Sequence, residues 1–237
     1  MPPAATTAAV QSPPRRRAAP PFWWLMLVLA IGVAGYAVSF TFRGIDAFGI
    51  ELLASFYQRP WAIWFHMMFG AVALVTGALN FRHSLRRRRP AIHRKIGEWY
   101  VFSCLVSGTA GGWLALHAYG GLSNRLGFLG LAVSTLVTTP LAYRAARAGR
   151  FAEHRAWMIR SYAVILAAVT LRIQLPILAM SLGGFAQAYA VVAWSCWVPN
   201  LLVAEWIVRA TTRRPATGTP PGSPPSQSAH PAPTSPH

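Results

Sequence analysis

One stretch concentrates the residues that could do chemistry. Glu153-His154-Arg155-Ala156-Trp157-Met158-Ile159-Arg160-Ser161-Tyr162 opens an apolar run that continues to Thr170-Leu171-Arg172-Ile173-Gln174-Leu175-Pro176. An arginine inside an apolar helix is costly, so it has a partner and often a function. Arg172 comes about sixteen residues into this segment, in the outer half of a bilayer at about 1.5 Å of rise per residue. Two readings stand side by side. Arg172 pairs with Asp46 or Glu51 of the preceding outer loop, or it receives an anionic group such as a haem propionate, a quinone oxygen or an anionic solute.

Four histidines fall into two levels. His93 and His154 begin helices at one boundary; His66 and His117 lie toward the other. Imidazoles from facing helices are how axial ligation of a b-type haem is built in a bundle. Two such pairs would suit electron transfer across a membrane, with haem b as cofactor and its iron as the only metal. The bland reading is that each histidine satisfies a loop carbonyl, a headgroup or an interior hydrogen bond. His93 and His117 share one helix about 36 Å apart by rise, which strains a model with two buried haems.

Glu205 lies a little over one turn from the inner end of the last apolar segment, at the depth of Arg160. An Arg160–Glu205 ion pair is the simple expectation, and a proton relay through Glu205 the sharper one. Gln174, Asn200, Thr138 and Thr139 add interior polarity able to hydrogen-bond between helices. With Arg172, these groups would form the polar path of a small-solute or proton transporter. A structural membrane bundle without a small-molecule ligand is the third reading. No nucleophile–base set, phosphate-binding loop or dinucleotide fingerprint appears.

The elements that must position these residues are membrane helices. Of 237 residues, 54% are hydrophobic and 11% charged, against about a quarter charged in soluble domains. Six apolar segments are predicted over Pro21–Phe40, 61–81, 99–119, 126–146, 157–180 and 186–210, each near the twenty or so residues that cross about 30 Å of hydrocarbon. The fold class is therefore all-α, a six-span bundle. Segments 1–20 and 211–237, rich in Pro and small polar residues, are expected to be disordered. Arg15, Arg16 and Arg17 precede an apolar run too long for a cleaved leader, so that run is expected to stay as the first helix. Cys104 and Cys196 fall inside apolar segments at different depths and read as small buried residues, not as a disulfide.

The net charge of +17 resembles a nucleic-acid signature until its placement is considered. Arg15–Arg17, the loop from Arg82 to Lys95, Arg144, Arg147, Arg150, Arg155, Arg160, Arg209, Arg213 and Arg214 all fall on one side. Arg43, Arg59 and Arg125 fall on the other. The positive-inside rule puts both termini in the cytoplasm, with anionic headgroups as the partner of the charge and no nucleic acid.

Finer expectations follow. The outer loop over 41–60 reads as a short interfacial helix lying over the bundle mouth. The Gly-Gly turn before Phe185 makes the last two helices neighbours. Gly108 and Gly112 form a small-xxx-small pair that places the third helix centrally. Pro140, Pro176 and Pro199 interrupt the last three helices. A weak repeat pairs His93-Arg94 and Tyr100 with His154-Arg155 and Tyr162.

His93-Arg94-Lys95-Ile96-Gly97-Glu98-Trp99-Tyr100, the block from Glu153 to Ala163, Ala167-Ala168-Val169-Thr170-Leu171-Arg172 with Leu175-Pro176, and Trp197-Val198-Pro199-Asn200-Leu201 with Glu205 together resemble the bacterial membrane-protein family catalogued as domain of unknown function 2306. The resemblance covers helices two to six and implies a multi-pass protein of the bacterial plasma membrane. It implies no activity. A looser likeness to cytochrome b561-type proteins rests on six helices and paired histidines, and the histidine spacing here departs from that family.

Overall fold

The structure, a computed structural model, describes residues 20–43 and 57–212. Asp46, Glu51, most of the outer loop and nearly all of both expected disordered tails lie outside the described residues; Thr211 and Thr212, expected in the second tail, still belong to the last helix. Among the described residues the chain is helical, with no strand. The helices are α1 (Pro21–Arg43), α2 (Pro60–Asn80), α3 (His83–Arg88), α4 (Pro90–Ala115), α5 (Leu122–Arg147), α6 (Phe151–Ile165), α7 (Ala167–Ser181), α8 (Phe185–Ser195) and α9 (Val198–Thr212).

Its surface is inverted relative to a soluble bundle. Phe22, Trp61, Phe102, Leu202 and Trp206 are exposed, while Ser103, Ser107, Asn124, Thr138, Thr139 and Ser161 are buried among alanines. Hydrocarbon outside and small or hydroxyl residues between helices are what membrane bundles use for packing. Five helical stretches are long and apolar enough to cross a membrane: Pro21–Phe40, Pro60–Asn80, Leu122–Arg147, Phe151–Ser181 and Phe185–Thr212. The expected count of six is met by length but not by apolarity. The remaining helix, α4, is 26 residues long, but its serines and glycines and its charged first turns lower its hydropathy.

α4 is nonetheless central. It packs on α2 and on α5, antiparallel to both: the Gly111 and Gly77 contacts pair it with His66 on one side of its register and Tyr100 on the other, and Gly108 meets Leu136. Gly108 and Gly112 do face a neighbouring helix, α5, through Leu136 and Ala132. α6 returns antiparallel to α5 after a turn at Gly149 (φ 72°). There Arg150 N–H donates to Ala145 C=O and Gly149 N–H to Ala146 C=O, the paired bonds that close a helix C-terminus. The Gly183–Gly184 turn, both φ positive, makes α7 and α8 neighbours as expected.

Only Pro199 marks a helix break as predicted. Pro140 and Pro176 sit inside continuous helices. The fifth span breaks instead at Leu166, and the sixth at Cys196–Trp197 just before Pro199. Side chains from the facing helix close both breaks. Asn200 Nδ2 donates to Ala163 C=O at 3.3 Å, Cys196 C=O at 3.0 Å and Thr170 Oγ1 at 3.0 Å. Gln174 Nε2 donates to Ser195 C=O at 3.4 Å and its Oε1 accepts from Ser195 Oγ at 2.9 Å. Ser195 is four residues before Pro199, so its carbonyl is the one proline deprives of an N–H. The interior amides of the sequence thus restore backbone bonds lost at the breaks.

Candidate functional site

One face of α4 carries the interior polarity. His93, Gly97, Tyr100, Cys104, Ser107 and Gly111 recur at three- and four-residue steps, which stacks them along one side of a helix. The polar groups of α2, α5 and α6 meet this face.

At its centre, Tyr100 Oη lies 2.7 Å from Ser161 Oγ, and Ser161 Oγ lies 2.7 Å from Thr139 Oγ1. Tyr100, Thr139 and Ser161 are fully buried. Cys104 is buried beside Tyr100 in the same cluster. Tyr162, the counterpart of Tyr100 in the repeat, packs its ring 6.5 Å from that of Tyr100 and donates to Leu74 C=O at 3.0 Å. Ser161 holds the equivalent place, because it follows His154 by the same seven residues that separate His93 from Tyr100.

That equal spacing positions the inner histidines. α4 and α6 both run antiparallel to α5, so they are parallel to each other. Two turns before the Tyr100–Ser161 contact, His93 and His154 lie on the matching sides of the two helices, each within electrostatic reach of the other. His154 Nδ1–H donates to Ala142 C=O at 2.8 Å. His93 Nδ1 is buried with no protein partner, as are both amide atoms of Asn80 at the end of α2. Burial, then the neighbouring His154 and Arg86, hold His93 below the ordinary histidine pKa. Its neutral form is therefore favoured in the fold. Protein stability should fall as the pH drops below about 6.5, the unfolded value, because the unfolded chain then binds the proton more readily. His93→Gln should flatten this part of a melting-temperature profile; an unchanged slope would assign it to other groups.

Toward the other end, Ser103 Oγ is buried without a partner, and Ser107 follows one turn later. His66 Nδ1–H donates to Ser107 C=O at 3.0 Å, with Ser107 Oγ also 3.2 Å away; Ser107 Oγ–H donates to His66 C=O at 2.9 Å. Gly111 makes room for this ring, since a Cβ there would sit 2.8 Å from Nδ1. His117 does not join His66. From the turn just past α4, its Nδ1–H donates back to Trp113 C=O at 3.0 Å. The fold therefore places the inner histidines within electrostatic reach of each other, while the outer two bond to Ser107 and to Trp113.

The remaining candidates resolve into separate sites. Arg160 Nε and Nη2 donate to Glu205 Oε2 at 2.9 and 2.7 Å, the expected pair, and Arg209 Nε donates to Glu205 Oε1 at 2.9 Å. Arg172 Nη1 donates to Ala168 C=O at 2.9 Å, and its guanidinium carbon lies 5.5 Å from the centre of the Tyr36 ring. Among the described residues no group of three or more His, Cys, Asp or Glu is arranged to hold a metal ion.

Sequence reasoning singled out most of the residues on this face but not their connections. Asn80 and Tyr36 escaped it. The signal for the column was present in the periodic small and polar residues of α4, which had been read for close packing alone.

No curated protein and no solved structure matches the chain. A family model described as "Predicted membrane protein (DUF2306)" matches residues 63–208, the stretch from α2 to α9 that builds the α4 face and everything packed on it, and the chain belongs to that family of predicted membrane proteins.

Proposed function

We propose that the protein is a proton-conducting module of the bacterial plasma membrane, with both termini and the arginine-rich loops at the cytoplasmic leaflet against anionic headgroups. In this reading α4 makes the sixth crossing, its polar face turned to the bundle interior. The observation that carries it is the Tyr100–Ser161–Thr139 hydroxyl chain, fully buried between a histidine pair at one end and the Ser107–His66 contact at the other. Hydroxyls both donate and accept, so such a chain can pass a proton by reversing its donors. The buried, unpartnered atoms of Asn80, His93 and Ser103 fall beside the gaps in the chain, where polar groups of this kind are met by ordered water. Arg160–Glu205 and the Asn200 and Gln174 clamps then serve as structural supports.

The test is proton flux into liposomes holding a trapped pH-sensitive dye, driven by a potassium diffusion potential. Flux above that of empty liposomes is expected, with a loss of tenfold or more in Tyr100→Phe, which keeps the ring and removes one link. Flux no greater than empty liposomes, or unchanged in Tyr100→Phe, would refute the reading.

A second reading keeps one b-type haem at the inner end. It is favoured by His154, whose Nδ1–H is anchored on a carbonyl as ligating histidines commonly are, facing His93 across the bundle. An absorption spectrum of the purified protein decides it. A Soret band lost in His93→Ala and in His154→Ala would favour haem; a featureless spectrum from haem-replete cells would eliminate it.

A further inference from the structure

Arg172 is the one intramembrane cation in the described residues whose geometry asks for a ligand. Its Nη1 is bonded back to Ala168 C=O of its own helix. Its Nε is buried with no partner. Among the described residues no carboxylate reaches it: Glu205 is taken by Arg160 and Arg209, and Glu153 by Arg150. The bond to Ala168 points the side chain inward, away from the outer boundary, so the guanidinium does not rise to the headgroups as long basic side chains usually do. Arg172 lies nine residues before the end of α7 at Ser181, about 14 Å of rise.

A lone guanidinium at that depth is costly in hydrocarbon, and the Tyr36 ring face offsets only part of the cost. A neutral hydrogen-bond acceptor would satisfy Nε but leave the charge. A carboxylate satisfies both, because its two oxygens match the Nε–Nη2 edge of the fork in a bidentate pair. The surroundings point the same way. His66 of α2, whose Nδ1–H is committed to Ser107 C=O, lies within electrostatic reach of Arg172. Tyr36, Ile173 and Ile177 beside it are exposed on the lipid-facing surface, so the seam between α1 and α7 is open to a molecule arriving from the bilayer.

We propose that Arg172, backed by the Tyr36 ring, forms a receptor for a carboxylate in the outer half of the membrane, carried either by a fatty-acid-like amphiphile entering from lipid or by a small organic acid entering from the outer mouth. This site stands independently of proton conduction, since it is read by binding and not by flux.

The test titrates full-length protein in a non-ionic detergent with cis-parinaric acid, whose fluorescence reports binding, and in parallel with its methyl ester. The acid is expected to bind at least tenfold more tightly than the ester, and Arg172→Leu to lose that preference, while Arg172→Lys keeps part of it. Displacement of the probe by benzoate, dependent on Arg172, would assign the site to small acids; displacement only by long-chain acids would assign it to the amphiphile. The comparison of acid with ester on the unaltered protein needs no variant to fold. Equal binding of acid and ester, or an unchanged preference in Arg172→Leu, would overturn the proposal. So would a tenfold gain in probe affinity in the Asp46→Asn, Glu51→Gln double variant, which would show that a loop carboxylate already fills the site.

Discussion

Gly127→Ala is expected to destabilise the bundle by about 1–3 kcal/mol, the usual range for forcing extra carbon into a packed interface. Gly127 is where α5 crosses α8. A Cβ built there lies 2.7 Å from the backbone oxygen of Ala193 and 3.0 Å from its carbonyl carbon and Cβ. A side chain could turn aside, but a helix backbone cannot, so the two helices must separate and the loss spreads to contacts along the crossing. At roughly 2–4 °C per kcal/mol for a chain of this size, the melting temperature in detergent should fall by several degrees. Gly32 provides the opposite case on the same assay. Nothing lies within 4 Å of a Cβ added there, and in a helix interior alanine is favoured over glycine by roughly 0.5–1 kcal/mol. Gly32→Ala should therefore raise the melting temperature slightly. A similar effect at both positions would mean that α5 and α8 are not in backbone contact at Gly127.

Ser161→Ala is expected to cost more than Tyr100→Phe, although it removes a smaller group. Ser161 is the middle of the hydroxyl chain, at 2.7 Å from both Tyr100 and Thr139. Removing its oxygen strands two buried hydroxyls at once, and each stranded group costs about 1–3 kcal/mol. Thr139 can fall back on a carbonyl of its own helix, as Thr135 and Thr138 do, so a total of about 2–4 kcal/mol is the expected result. Tyr100→Phe leaves the Ser161–Thr139 bond in place and should cost about 1 kcal/mol. Thermal melts of the two variants in one detergent would settle the order. Tyr100→Phe as the more damaging change would mean that the tyrosine hydroxyl is held by another group and that Ser161 is not the hub.

These two predictions rest on features of different legibility. The apolar segments, their lengths and the one-sided arginines could be read directly, because apolar run length and charge placement are properties of the chain in one dimension. Depth is also one-dimensional: counting residues from the helix ends put Arg160 and Glu205 at one level, and they pair. The repeat of His-Arg blocks was visible too, but its second tyrosine was matched at an offset of eight. The hydrogen-bond partner of Tyr100 is the serine at seven, because Tyr162 lays its ring beside Tyr100 but turns its hydroxyl to Leu74.

Rotation about the helix axis and the order of neighbours are different in kind. They decide which side chains meet at a given depth, and they depend on how all the helices pack at once. His66 and His117 share a level, yet one turns to Ser107 and Gly111 while the other, just past the end of α4, bonds back to Trp113. Pro176 sits unbroken in α7, whereas Leu166, with no proline near it, ends α6 because Asn200 across the bundle takes up the carbonyl of Ala163. The chain by itself determined a helical membrane protein with a basic face and a polar interior. Only the tertiary structure decided that this interior is gathered along one face of α4, because close approach at Gly77, Gly108 and Gly111 is what brings the facing side chains within hydrogen-bonding distance.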